Sequence, residues 1–104
     1  MDTNKTVIYE IWQTHNAEKQ FLSLNMLEKG KDEINLFDYE KVYTGKIKNN
    51  YDNTKEILEY LFELFNVTRP KGYTGHSMSV SDIVKVNNEW WYCDTFGFSK
   101  LEDL

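Results

Sequence analysis

The chain of 104 residues contains one cysteine, one proline, five glycines and no apolar run long enough to span a membrane. A lone Cys93 excludes an internal disulfide. No charged-then-apolar leader opens the chain, so the sequence reads as that of a protein in a reducing, cytoplasmic setting. Two histidines, His15 and His76, share no zinc-ligand spacing with that cysteine, and no metal or other cofactor is expected. "KGYTGHS", residues 71 to 77, holds glycines but leads into an extended segment, so it does not form a phosphate cradle at a helix start. A basic stripe is also missing. With a net charge of −5, direct DNA binding by phosphate neutralisation is not expected.

What the sequence does have is aromatic residues: seven Tyr, six Phe and three Trp, against few chain breakers. Disordered chains are poor in aromatics, so this composition predicts one folded domain over residues 1–104. "KTVIYEIWQ", Lys5 to Gln13, puts Val7, Tyr9 and Ile11 on one side and Ile8 and Trp12 on the other, a strand packed on both faces. "FLSLNMLEKG", from Phe21, fits a short helix or a strand equally. "INLFDYEKVYTGKI" predicts a strand closed by a turn at Thr44-Gly45. The clearest helix is "NTKEILEYLFELFN", Asn53 to Asn66: Asn53 or Thr54 caps it, and Pro70 lies just beyond its end. Its broad buried face comprises Ile57, Leu58, Leu61, Phe62, Leu64 and Phe65. "SMSVSDIVKV" then predicts a strand, "NNE" a hairpin turn and "WWYCDTF" the antiparallel return, with a bend at Gly97. The fold class is α+β: a small, mainly antiparallel sheet with one principal amphipathic helix packed on a face.

Two constellations bear on function. His76 lies near Ser77, Ser79 and Cys93 as nucleophiles and Asp82 or Asp94 as an orienting carboxylate, the residue types of an acyl-transfer site. No serine sits in a Gly-x-Ser-x-Gly elbow, however, and neighbours on an extended chain point apart. The expectation is structural: glycines shape a turn, His76 bonds to loop backbone, and Met78 and Val80 pack inward, with no catalytic residue and no enzyme activity. The second constellation is acidic. Asp52, Glu56, Glu59 and Glu63 recur at helical spacing and form one stripe, offset nearby only by Lys55. Such a stripe is either a solvated face or a contact that imitates a phosphate backbone toward a basic protein channel. Tyr60, Arg69, Lys71 and Tyr73 lie close in sequence as interface-type anchors. Trp90 and Trp91 are adjacent, so one faces each side of a strand, and an exposed one marks a contact surface.

"FDYEKVYTGKI" and "LEYLFELFNVTRPKGYTGHSMSVSDIVKVNNEWWYCDTFGFSKL" resemble the YodL-like domain. The resemblance rests on Tyr39, Val42, Tyr43 and Gly45, on Phe65, Asn66 and Pro70, on the Gly75 to Val84 block, and on Tyr92, Asp94, Gly97 and Phe98, with Met78 where the family usually carries Leu. It implies a protein of mobile genetic elements without an established catalytic residue, and so a binding role. The expectation drawn from it is an anti-CRISPR inhibitor that engages a host effector, Cas9 or its guide RNA complex, through Asp52, Glu56, Glu59, Glu63 and an exposed Trp90 or Trp91. The alternative is an interaction module in conjugation or plasmid maintenance.

Overall fold

A computed structural model describes residues 6–30, 34–48, 50–51 and 53–102. Five strands, β1 (Thr6–Thr14), β2 (Tyr39–Lys48), β3 (Ile83–Val86), β4 (Glu89–Cys93) and β5 (Phe98–Leu101), form one sheet in the order β2-β1-β3-β4-β5. Every neighbouring pair is antiparallel. A short helix α1 (Leu24–Lys29) precedes β2, and α2 (Thr54–Glu63) lies between β2 and β3. The α+β expectation holds, with the helix on one face of the sheet.

Alternation along β1 sets the two layers. Val7, Tyr9, Ile11 and Gln13 point inward and are buried. Ile57, Leu58, Leu61 and Phe65 of the α2 segment close over them with Val84, Val86, Trp91 and Cys93. The opposite face is only part-covered. There α1 brings Leu27 against Ile83 and Tyr92, flanked by Trp12, Leu36 and Trp90. Beyond that cover the register leaves Ile8 and Glu10 facing out beside Lys41, Lys46, Lys48 and Lys85.

Three expected boundaries move. Thr44-Gly45 is not a turn, because β2 runs straight through to Lys48. Gly45 pairs with Tyr9, and a Cβ there would lie 2.5 Å from Tyr9 Cζ, so glycine makes room for a ring inside the strand pair. The α2 helix starts as expected, with Asn53 Oδ1 accepting from the Glu56 amide at 3.0 Å. It widens after Glu63 into a π turn, Leu64–Thr68, closed by the Arg69 amide on the Leu64 carbonyl at 2.7 Å, with Arg69 at φ 56°. The expected strand from Ser77 begins only at Ile83. Asp82 captures the chain ahead of it: its Oδ2 accepts from the Ser79 amide at 2.9 Å, its own amide donates to the Ser79 carbonyl at 3.0 Å, and Ser81 is driven to φ 89°. No helix among the described residues is long and apolar enough to cross a membrane.

Candidate functional site

The outward face of α2 carries the expected carboxylates. Glu59 and Glu63 are exposed, Glu56 is half-buried, and Asp52 lies outside the described residues. Glu56 stands near Tyr51, whose hydroxyl is pushed up in pKa by desolvation and then by Tyr60 and Glu56. The charged face is not purely polar. Tyr60 is 38% exposed, Phe62 40% and Val67 76%, all on the same segment. Phe62 was expected in the core, but it sits at the rim of the buried stripe, 40% exposed, with its ring edge to face on Phe98.

From that rim a cleft of about 280 Å³ opens between α2 and the β4–β5 hairpin. Phe62 and Phe98 form one wall, edge to face with ring centroids 6.4 Å apart. Val80 and the buried Cys93 add apolar surface, and Glu59 and Asp94 supply carboxylates. Asp94 is held in place: its Oδ1 accepts from the Thr95 amide at 2.8 Å and from the Leu24 amide at 3.3 Å. The hairpin turns at Gly97, φ 77°, and presents Phe96 almost fully to solvent, 96% exposed. Phe62 and Phe98 were not read from sequence as lining a cleft, and Asp94 was read only as a carboxylate beside His76. Only Phe98 had a signal, the paired aromatics of "FGF" at a tight turn, which reads in sequence only as a bend.

The tryptophans divide as alternation requires, but neither is the freely exposed anchor expected from sequence. Trp91 is 8% exposed and belongs to the core under α2, with no hydrogen-bond partner for its Nε1. Trp90 is half-buried on the other face, 5.6 Å from Trp12 and beneath the Lys85 ammonium at 5.0 Å. The acidic stripe and Trp90 therefore lie on opposite faces of the sheet and do not form one patch. Tyr73 likewise packs inward, 4.8 Å from Phe65, and Arg69 donates to Ser77 Oγ.

Below the loop that contains His76 is a polar knot. Gln13, near the end of the inward face of β1, lies with its Nε2 2.9 Å from Tyr73 Oη, 2.9 Å from the His76 carbonyl and 3.0 Å from Asp82 Oδ2, while its Oε1 accepts from the His76 amide at 3.1 Å. One amide has two hydrogens, so the Nε2 is shared among more acceptors than it can serve at once. Asp82 is fully buried, and its Oδ1 has no partner. Burial pushes its carboxyl up to about 6, against the opposing pull of Ser79, Gln13 and His76. His76 itself is exposed, with Nδ1 2.7 Å from the Ser77 carbonyl and 3.2 Å from Gln13 Nε2, and among the described residues its ring bonds to no serine hydroxyl. Cys93 is buried, and desolvation followed by Asp82 and Asp94 pushes its thiol up to about 12, leaving it protonated. The knot holds the loop on the sheet, as expected for the His76 backbone contact. Among the described residues no group of three or more His, Cys, Asp or Glu is placed to hold a metal ion.

Comparison with known proteins gives a family. The model for the YodL-like domain matches residues 5–103. Uncharacterized protein R785 of Acanthamoeba polyphaga mimivirus is 38% identical over 79 residues, a match covering 61% of this chain and 68% of that protein. No solved structure matches. With nearly its whole length matched, the chain belongs to the YodL-like domain family.

Proposed function

We propose that this domain acts without catalysis, by binding a basic surface of another protein through the outward face of α2. The observation that carries this reading is the mixture on that face. Glu59 and Glu63 stand among Tyr60, Phe62 and Val67, large apolar groups that a merely solvated helix would not expose together. Carboxylates speed and orient the encounter, and the apolar groups add contact area. The protonated, buried Cys93 and the backbone-bound His76 favour a non-enzymatic role.

The sharper form of the proposal takes Cas9 or its guide RNA complex as the partner, with Glu56, Glu59 and Glu63 imitating phosphates in its nucleic-acid channel. Neither the family match nor the viral relative bears on host defence, and an interaction role in conjugation or plasmid maintenance would use the same face. A photo-cross-linking side chain placed at Val67, with Thr44 on the sheet edge as the control position, tests the general reading in cells. A protein adduct from Val67 alone, lost when Glu56, Glu59 and Glu63 are all changed to Lys in a folded variant, is expected. Adducts from Thr44 alone, or adducts indifferent to charge reversal, would reject α2 as the contact. Comigration with Cas9, with and without guide RNA, together with a cell interference assay, decides the Cas9 form.

A further inference from the structure

The cleft beside α2 has walls and charges that specify what fits. At about 280 Å³ it lies below the range of pockets that hold drug-sized ligands or cofactors, and its size suits one or two side chains. Two of its lining groups are carboxylates, Glu59 and Asp94, and none is cationic. Glu59 makes no hydrogen bond or ion pair among the described residues, and the bonds that fix Asp94 use only its Oδ1. The wall between them is the Phe62–Phe98 pair, half open to solvent. A cation with a flat, weakly hydrated face satisfies both features: it stacks on the rings and donates to the carboxylates. Guanidinium does this and a compact, strongly hydrated ammonium does it less well. The almost fully exposed Phe96 at the hairpin tip adds an apolar surface at the mouth, where the residue next to the cation would lie.

We infer that the cleft is a recognition notch for an arginine flanked by an apolar side chain, carried on an exposed segment of a partner protein. This assignment rests on α2 being the contact face, and it names the chemistry of what meets that face. The arginine lies against the wall made by Phe62 and Phe98, with Glu59 and Asp94 as acceptors, and the flanking apolar group lies against Phe96. The interaction is non-covalent and reversible, and Cys93 takes no part beyond apolar lining.

The test is an NMR titration of the isotope-labelled chain with acetyl-Phe-Arg-amide, with acetyl-Phe-Glu-amide in parallel. The arginine peptide is expected to shift the amides of Thr95, Gly97 and Phe98 saturably, with a Kd on the order of 1 mM, while the glutamate peptide leaves them in place. Glu59→Gln should weaken the response about two- to fivefold, and Phe62→Ala about tenfold. If Phe62→Ala loses its dispersed spectrum, Glu59→Gln decides. Equal shifts with both peptides, or none at those amides, overturn the notch. The two proposals fail separately: a charge-dependent Val67 adduct without an arginine response removes the notch and keeps α2. An arginine response without that adduct keeps the cleft beside α2 as the contact and removes the surface around Val67.

Discussion

Replacing Asp82 with Asn should remove a pH dependence of stability that the buried carboxyl imposes. Asp82 is fully buried with one oxygen unpartnered, and its pKa is raised from 3.8 to about 6, chiefly by desolvation. A carboxyl with a raised folded-state pKa leaves stability intact below its unfolded value, and that stability is lost as pH rises through the folded value. The full span is about 3 kcal/mol, from roughly two pKa units at about 1.4 kcal/mol each. Between pH 4 and pH 7.5 about 2.5 kcal/mol of it should be visible, because part of the unfolded population is already ionised at pH 4. Urea unfolding followed by tryptophan fluorescence, run on both proteins across this range, isolates the group, since other carboxylates contribute equally to both. The difference in unfolding free energy, Asn variant minus wild type, should rise with pH by about that amount. A flat difference, or one that falls, would show that Asp82 is ionised at no cost and that the desolvation argument is wrong. The absolute difference at any single pH also contains the altered bond to Gln13, so only its slope is diagnostic.

Two further outcomes follow from the packing. Gly45→Ala sets a methyl against the Tyr9 ring, and displacing that ring from its contact with Phe65 should cost about 1–3 kcal/mol in urea unfolding; a neutral variant would mean that Tyr9 is not confined. Cys93, protonated and buried, should react with a thiol reagent only as fast as the chain opens, and labelling of the native protein at the rate of a free thiol would contradict its place in the core.

Much of the architecture was legible because periodicity reports burial. Val7, Tyr9 and Ile11 at spacing two, and Ile57, Leu58, Leu61 and Phe65 at helical spacing, do in the structure what the pattern says. The failures share one cause, long-range contact overriding local chemistry. Gly45 reads as a turn residue, and only its partner across the sheet, Tyr9, explains it as a strand residue. Ser77 to Ser81 alternate like a strand, but Asp82 bonds back to Ser79 and to Gln13, sixty-nine positions away. Of the candidate site, the exposure of Glu59 and Glu63 was readable from the helix period. The burial of Trp91 and the Phe62–Phe98 wall were not, since both depend on which segment covers which face.

The outward lysines of the sheet, Lys41, Lys46, Lys48 and Lys85, face away from the carboxylates of α2. The thinnest dimension of the molecule is 23 Å, whereas salt at physiological strength screens charge over about 8 Å. An approaching macromolecule therefore meets a lysine-rich side that also holds Glu10, or a carboxylate-rich side that also holds Lys55, and not the average of −5. The domain behaves as a two-sided particle, repelling and attracting by orientation, and its overall acidity says little about which bodies it can settle against.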